Sequence, residues 1–493
     1  MVQKIIRFFM DKSTINMHHR RYGIFFGANM EARVEIIRKL DIYTPSTHMC
    51  EGMDEVTHSK YGQYFREPHH DFVEHHSYHF PTILMKDGSP WSDANRYLLH
   101  KLKGIMPTSH RTLDSIARDL AGFRRWLDKE NINYLHIPEN TWGKTTYLYC
   151  SHLHDEVRLK NIALGTAKKK MSSIQGFYRW LKLDGNKFEY PLWRENDAYI
   201  LFKDQYGFNR SKNISRTDLS SSFRTLKNTN NFSEYIEDGG KLRPLPKDEQ
   251  VAIVKALKDI GNIEMTLSFL IALTTGARLQ TVFTLRRCNF AKSLPEMTSY
   301  RNIKIGKNTL VNTKFGKSMT ILMPGWLYIR IKIYLNSERC KKRVNNCQHI
   351  YSTEGEQYAF ISRNGRPYYM SKNDPFESIY RTPPRGNGIT QFIRQQLQPS
   401  LEKYGNIFEF RFHDLRATFG MNLLEEKINT ENIQLTSDRN SPEYFRVLMY
   451  IKERMGHSNI KTTIAYLNYK ENYKIASQIQ NQFEEYLENL MKD

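Results

Sequence analysis

The chain has 493 residues, more than one hydrophobic core usually organises, and at roughly 150 residues per domain it predicts about three domains. Hydrophobic residues make up 40% and charged residues 25% of it, which excludes a disordered chain. Lysine and arginine number 73 against 52 acidic residues, and this formal charge of +21 favours a polyanionic partner, nucleic acid before all others.

Membrane and disulfide-stabilised classes fit the sequence poorly. No run approaches the roughly 20 apolar residues that a helix needs to cross a bilayer. The start, "MVQKIIRFFMDKS", is too short and too interrupted for a secretory signal, so we expect a cytoplasmic protein without a membrane partner. The five cysteines are scattered, odd in number and without CxxC spacing, which argues against a disulfide framework or a zinc knuckle.

Residues 1–92 are rich in histidine and aromatic side chains and predict a small mixed or β-rich module that binds DNA or a partner. It closes with "FPTILMKDGSPWSD", which is typical of a strand, a turn and a helix start at Ser92 or Asp93. Imidazoles and carboxylates can bind zinc, but adjacent duplicates without fixed spacing favour a surface or partly packed segment. The residues concerned are His69, His70, Asp71, Glu74, His75, His76 and His79.

Residues 93–190 predict a helical domain. Ile116, Leu120, Phe123 and Leu127 form one apolar helix stripe, with Arg124 and Arg125 elsewhere on that helix. A second helix begins with three consecutive lysines, which oppose the helix dipole and would be relieved by a phosphate backbone; the alternative is a solvated charge run. The predicted DNA-binding residues are therefore Lys168, Lys169, Lys170, Arg124 and Arg125.

Residues 191–241 are polar and rich in serine and asparagine, which predicts a linker, and the last domain begins near Leu242. Within that domain we predict a buried helix, a Thr-Gly break and a second helix, then a β-meander in "NIKIGKNTLVNTKFGKSMTILMP". A helix follows from about 412 to 426, and the chain ends in a helix with an apolar stripe.

The last domain carries six side chains that can act together on one phosphodiester. Displacement at phosphorus builds negative charge that arginines stabilise well, because their planar forks stay charged and grip two oxygens. A tyrosine becomes a nucleophile when cations lower its pKa, and a lysine can protonate the leaving oxygen. The six residues are Arg278, Lys314, His413, Arg416, His457 and Tyr466.

These residues lie in motifs that resemble those of the tyrosine recombinases, or phage integrases. "TTGARLQTVFTL" is similar to the family's first arginine motif, "FRFHDLRATFG" to its His-x-x-Arg motif, and "MGHSNIKTTIAYLNY" to its Gly-His and tyrosine motif. "VNTKFGKSMTILMP" resembles its catalytic β-hairpin, which favours Lys314 as the acting lysine and Lys317 as the second choice. Residues 95–184 resemble its helical core-binding domain.

The resemblance implies a mainly α fold with a small β-sheet (α+β). In this scheme an N-terminal module, 1–92, precedes a core-binding domain, 93–190, a linker, 191–241, and a catalytic domain, 242–493, with a C-terminal helix. Tyr466 would attack the phosphate and form a 3′-phosphotyrosyl link, while the two arginines and two histidines hold the phosphate, without a metal or cofactor.

The resemblance also implies partners and a biological setting. The expected partners are double-stranded DNA with specific recombination sites, three further copies of the chain in a tetramer, and accessory DNA-bending or directionality proteins. Strands would be exchanged through a Holliday junction. The length of the chain and its N-terminal module favour integration or excision of a mobile genetic element.

Several alternatives stay open. The same chemistry serves a type IB-like topoisomerase or a telomere resolvase, and a catalytically silent DNA-binding protein could keep the fold for architecture. Tyr450 and Tyr469 are rival nucleophiles. Thr281 stands where the family usually has an acid, so the support of Arg278 is expected to differ, and the basic stretch 325–405 is interpreted as an insertion.

Overall fold

The computed structural model describes residues 31–41, 44–46, 54–59, 62–67, 76–102, 108–203, 209–223, 235–293, 300–347, 349, 351–372, 374–406, 408–431 and 441–491. The chain forms two compact units, Met1–Asn228 and Thr229–Asp493. Among the helices of these residues, none is both long enough and apolar enough to cross a membrane. The fold is mainly helical, with small antiparallel sheets.

The described residues of the first unit from 31 to 84 include five strands. Strand β1 (Arg33–Asp41) pairs antiparallel with β5 (His76–Leu84), and β2 (Thr44–Ser46), β4 (Gly62–Glu67) and β3 (Asp54–Ser59) form a second sheet in that order. Most of the predicted histidine cluster, 69–75, lies outside the described residues. His79 of the same cluster is buried.

Four helices form the core of the first unit: α1 (Ser92–Leu102), α2 (His110–Glu130), α3 (Thr145–Arg158) and α4 (Leu164–Leu183). Helix α2 begins where the Ser109 hydroxyl accepts the Thr112 backbone N–H, and it ends at Asn131 in the left-handed conformation. The predicted apolar stripes of α2 and α4 are confirmed, since their residues lie in one buried cluster. Its members include Leu120, Phe123, Leu127, Met171, Ile174, Phe177, Tyr178 and Leu181.

The stretch interpreted as a linker contains regular structure. Strands β6 (Glu195–Lys203) and β7 (Asn209–Thr217) pair antiparallel, and a short helix α5 (Asp218–Ser222) follows. Two further short strands, β8 (Ile236–Glu237) and β9 (Lys241–Leu242), form a hairpin of the second unit. The second unit thus begins at Thr229, before the predicted start near Leu242, because Ile236 and Leu242 are buried in one of its core clusters.

In the second unit helices surround the longer of its two described antiparallel strand pairs. The predicted meander is a two-stranded pair, β10 (Tyr300–Ile305) and β11 (Met319–Pro324), whose connection contains a 3₁₀ turn at Lys314–Gly316. The helices are α6 (Lys247–Ile260), α7 (Ile263–Thr275), α8 (Leu279–Phe283), α9 (Gly325–Asn336), α10 (Glu338–Asn345), α11 (Asn387–Phe392), α12 (Gln398–Lys403), α13 (Asp414–Glu431), α14 (Pro442–Met455) and α15 (Ile460–Leu490).

The stretch 325–405, interpreted as an insertion, supplies part of the core of the second unit. Leu327, Ile331, Phe360 and Leu397 are buried in the same cluster as residues of α6 and α7. Its described residues therefore pack as part of the domain rather than as a surface appendage. In α15 the side chains of the predicted C-terminal apolar stripe lie outside the described ones.

Candidate active site

Arg278 is placed by a tight helix end. Helix α7 ends at Gly276, whose φ of 66° is the left-handed conformation that glycine adopts without strain. A Cβ at this position would come within 2.5 Å of the Phe419 ring, so a larger residue does not fit. Arg278 then begins α8, and its side chain is 21% exposed. The predicted helix, Thr-Gly break and second helix are confirmed.

Arg416 joins three elements from the first turn of α13. Its Nη1 donates to the carbonyl of Gly276 at 2.7 Å, and its Nη2 donates to the carbonyl of Met455 at 2.6 Å. The side chain is almost fully buried. Since the peptide carbonyls at the ends of α7 and α14 hold the guanidinium from two sides, its Nε points in a fixed direction.

His457 follows a second left-handed glycine. Gly456 ends α14 with φ 63°, and the ring of His457 is buried next to the first turn of α15. Its Nδ1 lies 3.0 Å from the hydroxyl of Thr463. Burial lowers the pKa of His457, although a neighbouring carboxylate opposes the shift. The ring is therefore neutral near pH 7. Its Nε2 faces that carboxylate, which can only accept, so Nε2 carries the hydrogen and Nδ1 accepts from the threonine hydroxyl.

Tyr466 lies on α15 and is fully buried. Its ring centroid lies 5.5 Å from that of His457. On its other side Gly420 of α13 approaches so closely that a Cβ there would come within 2.5 Å of the ring. Burial raises the pKa of Tyr466 well above its usual range, and the hydroxyl is protonated in this state.

A residue that the motifs did not identify, Asp238, connects these side chains. Its Oδ2 accepts hydrogen bonds from Nε of Arg416 at 2.7 Å, Nε2 of His457 at 3.2 Å and the hydroxyl of Tyr466 at 3.3 Å. Its Oδ1 accepts from Nη2 of Arg278 at 3.1 Å. Burial alone would raise the pKa of Asp238, but the hydrogen bond from His457 and the charges of both arginines hold it far below its usual range.

Both candidate lysines line one cavity of about 210 Å³, together with Asp238, Arg278, Arg416 and His457. Lys314 is exposed, and the next residue, Phe315, has φ 62° and is 90% exposed. Lys317 is half-buried and donates from Nζ to the carbonyl of Gly456 at 3.1 Å. Burial, Lys452 and the two arginines lower the pKa of Lys317.

Thr281, which stands where the family usually has an acid, contacts the loop that carries these lysines. Its hydroxyl donates to the carbonyl of Asn312 at 2.9 Å, and the Asn312 N–H donates to the hydroxyl of Thr284 at 2.8 Å. Thr281 of α8 and Thr284, which follows the last residue of α8, thereby fix the peptide groups of a residue two positions before Lys314. The carboxylate that supports Arg278 comes instead from Asp238.

His413 lies at the start of α13, half-buried beside the same charges. Burial, followed by the positive charges of Arg416 and Arg278, lowers its pKa to about 4. It is therefore neutral at pH 7. Among the described residues, no group of three or more histidine, cysteine, aspartate or glutamate side chains is arranged to hold a metal ion.

The predicted DNA-binding residues lie in the first unit and differ in their surroundings. Lys168 is exposed on α4. Lys169 donates to Asp119 at 3.0 Å, Arg124 donates from Nε to Asp128 at 2.9 Å, and Arg125 donates to the carbonyl of Ala32 at 2.8 Å. The two arginines thus contribute to the packing of their own unit, which the sequence interpretation did not anticipate.

The sequence matches no protein-family model and no curated protein. The structure is similar to the XerH site-specific recombinase bound to palindromic difH substrate, with 14% identity, a TM-score of 0.41, and coverage of 79% of this chain and 89% of that one. It is similar to a lambda integrase dimer bound to a COC′ core site, with 13% identity, a TM-score of 0.41, and coverage of 77% and 95%. It is also similar to the Tn1549 transposon integrase in complex with circular intermediate DNA, with 15% identity, a TM-score of 0.40, and coverage of 75% and 94%.

Proposed function

We propose that this protein is a tyrosine recombinase that cleaves and rejoins DNA through a 3′-phosphotyrosyl intermediate. One observation carries the proposal. Two arginines, a histidine and a tyrosine, from three separate sequence motifs, direct their donor atoms at one buried anion within 2.7 to 3.3 Å. In this structure the anion is a carboxylate, and its oxygens stand in for those of a phosphate.

The reaction follows from this geometry. Arg278, Arg416 and the Nε2–H of His457 bind the non-bridging oxygens, whose negative charge grows in the transition state. The Tyr466 oxygen bonds to phosphorus as the bond between phosphorus and the 5′ oxygen breaks. The phenolic proton passes to the neutral imidazole of His413, and a lysine of the cavity protonates the departing 5′ oxygen. The reverse reaction rejoins a strand without an external energy source.

The choice among the three candidate tyrosines rests on position. The Tyr466 hydroxyl contacts the same carboxylate as the arginines and the histidine. Tyr450, on α14, is 37% exposed, and its ring lies 4.9 Å from Nζ of Lys427. Tyr469 packs at the edge of the core cluster that contains Tyr466. The contacts of Tyr466 therefore favour it as the nucleophile.

The wider setting rests on the resemblance of the motifs to the tyrosine recombinases. It comprises specific sites in double-stranded DNA, a tetramer on a Holliday junction, accessory DNA-bending or directionality proteins, and integration or excision of a mobile element. The charge of +21 supports the DNA partner. In this scheme the helical core of the first unit contacts DNA through Lys168 and its neighbours.

The test is covalent capture. Purified protein is incubated with nicked duplex substrates drawn from the DNA that flanks its own gene, and denaturing gels are used to detect a protein–DNA adduct. We expect an adduct with the wild type and with Tyr469→Phe, a matched control on the same helix, and none with Tyr466→Phe. An adduct that persists in Tyr466→Phe would refute the assignment.

The same assay separates the alternatives. Relaxation of supercoiled plasmid without a specific site would indicate a topoisomerase, and covalently closed hairpin products would indicate a telomere resolvase. Tight binding of duplex DNA without any adduct would indicate a catalytically silent DNA-binding protein.

A further inference from the structure

The cationic groups of the proposed phosphate site are already occupied by a side chain of this protein. The Asp238 carboxylate accepts from Arg278, Arg416, His457 and Tyr466, and only 5% of its side chain is exposed. A phosphate oxygen bound by the same donors would lie at the same distances from them. A DNA phosphate and the Asp238 carboxylate therefore cannot occupy the site together.

A short hairpin delivers this carboxylate. The bases of its two strands are held in the core, since Ile236 and Leu242 are 1% and 2% exposed. Between them the chain turns through Gly239 and Gly240, which both have positive φ, and the Asp238 N–H donates to the Gly240 carbonyl at 3.1 Å. The tip carries two glycines, whose backbone can adopt other conformations, so it can move while the base of the hairpin stays in place.

The same hairpin tip reaches the candidate general acid. A Cβ on Gly239 would come within 2.7 Å of Nζ of Lys314. Tyr466 does not line the cavity and is fully buried behind the carboxylate. The tip thus contacts the proposed nucleophile, the phosphate-binding cations and the proposed acid at once.

Electrostatics indicate that this arrangement is a resting one. The negative charge of the Asp238 carboxylate offsets one of the positive charges that would bind a phosphate. The same negative charge, together with burial, raises the pKa of Tyr466 and so disfavours its phenolate. In return, the arginines and the histidine keep a charged partner in the absence of DNA, which avoids the cost of like charges buried without a counter-ion.

We propose that Asp238 is an internal substitute for the scissile phosphate, which holds Arg278, Arg416 and His457 in position in the DNA-free protein. The site stays closed until a DNA phosphate displaces the hairpin tip. This inference rests on the proposed function, because it assigns the four-donor site to a phosphate. It makes the Asp238 hairpin an autoinhibitory contact.

The first test measures anion binding without DNA. Isothermal titration of the full-length protein with inorganic phosphate, in chloride buffer, compares the wild type with Asp238→Asn and Asp238→Ala. Glu237→Gln is the matched control, because Glu237 is the exposed acid next to Asp238 on the same strand. We expect phosphate affinity to rise at least tenfold in both Asp238 variants and to stay at the wild-type value in the control. Unchanged affinity in a folded Asp238 variant would refute the proposal.

A second test uses the wild type, so that it does not depend on the folding of a variant. Hydrogen exchange of the 236–242 segment is compared with and without a short duplex whose binding is verified by gel mobility. We expect faster exchange on binding, because the tip leaves the site. Equal or slower exchange in the bound protein would overturn the displacement.

Adduct formation separates this inference from the proposed function. Tighter phosphate binding by Asp238→Asn, without an adduct in any variant, would support the internal substitute and refute the recombinase. Adducts that form equally fast in wild type and Asp238→Asn, with equal phosphate affinity, would support the recombinase and refute the role of Asp238.

Discussion

Nδ1 of His457 lies 3.0 Å from the hydroxyl oxygen of Thr463, and both side chains are buried. Because the ionised carboxylate of Asp238, 3.2 Å from Nε2, can only accept, the hydrogen of the neutral ring is at Nε2 and Nδ1 accepts from the threonine hydroxyl. By donating to Nδ1, Thr463 stabilises the tautomer whose Nε2 can donate to a phosphate.

Thr463→Val keeps the shape of the side chain and removes the hydroxyl. The unpaired Nδ1 then competes for the ring hydrogen, so we expect the rate of adduct formation to fall by about tenfold, equivalent to about 1.4 kcal/mol in the barrier. The loss of one buried hydrogen bond should also cost about 1 kcal/mol of stability. Single-turnover gels and thermal melts measure the two effects, with Thr463→Ser as the control that retains the hydroxyl. Wild-type rates in Thr463→Val would contradict the role.

His413 contributes to the pH dependence of the free energy of unfolding. Its pKa is lowered to about 4 in the folded chain, whereas the unfolded chain takes up the proton near 6.5. Between these values the unfolded state binds more protons, so the free energy of unfolding falls as the pH falls. The contribution of His413 to the free energy of unfolding is fully present above pH 6.5 and is fully lost only below about pH 4.

His413→Gln removes that titration and keeps a polar side chain. Between about pH 4.5 and 6.5 we expect its unfolding free energy to depend less steeply on pH, by up to about 1.4 kcal/mol per pH unit. Urea unfolding followed by circular dichroism across this range makes the comparison. His136→Gln, at an exposed histidine of the first unit, is the control for the same substitution away from the site. Parallel pH profiles for His413→Gln and the wild type would disprove the assignment.

Sequence motifs predict four site residues because the position of each side chain is set by nearby residues of the chain. These residues are Arg278, Arg416, His457 and Tyr466. A glycine at a helix end, or side chains at helical spacing, can be recognised within a short stretch of sequence. Asp238 is different, since its partner Arg416 lies 178 positions away and no local pattern links the two. The tripeptide Asp-Gly-Gly is typical of a flexible turn, so the sequence predicts a linker there. Only the packing of Ile236 and Leu242 places it in the site.

Arg124 and Arg125 show a second limit of prediction from sequence. Arg124 and Asp128 lie four positions apart, which predicts an ion pair on one helix face. That pair is present in the structure, and the guanidinium also lies 5.6 Å from the Trp91 ring. A count of positive charges does not distinguish an internally paired arginine from an exposed residue such as Lys168. The i, i+4 spacing of Arg124 and Asp128 does make that distinction from sequence.

This difference predicts a contrast in DNA binding. A lysine that contacts one phosphate contributes about 0.9 to the slope of log affinity against log salt concentration. Lys168→Ala should therefore weaken binding and reduce that slope by about one. Arg124→Ala should leave the slope unchanged and lower the melting temperature, because it loses the contacts to Asp128 and Trp91. Fluorescence anisotropy with a labelled duplex at several salt concentrations tests both. A reduced slope for Arg124→Ala alone would reverse the assignment.

The two lysines of the cavity have different contacts, and these predict different roles. Lys317 donates to the Gly456 carbonyl, next to His457, so it positions the histidine loop. Lys314 makes no such tie and lies beside the tip that must move to admit DNA. We therefore expect Lys314 to protonate the leaving 5′ oxygen.

A substrate with sulfur in place of the bridging 5′ oxygen distinguishes these roles, because a thiolate leaves without a proton. Lys314→Ala should slow adduct formation by about 10²- to 10⁴-fold on the ordinary substrate and regain most of that rate on the sulfur substrate. Lys317→Ala should lose about tenfold on both. Lys307→Ala, an exposed lysine on the same connection between strands, is the control and should match the wild type. If sulfur restores Lys317→Ala and leaves Lys314→Ala slow, then Lys317 is the acid and Lys314 the positioning residue.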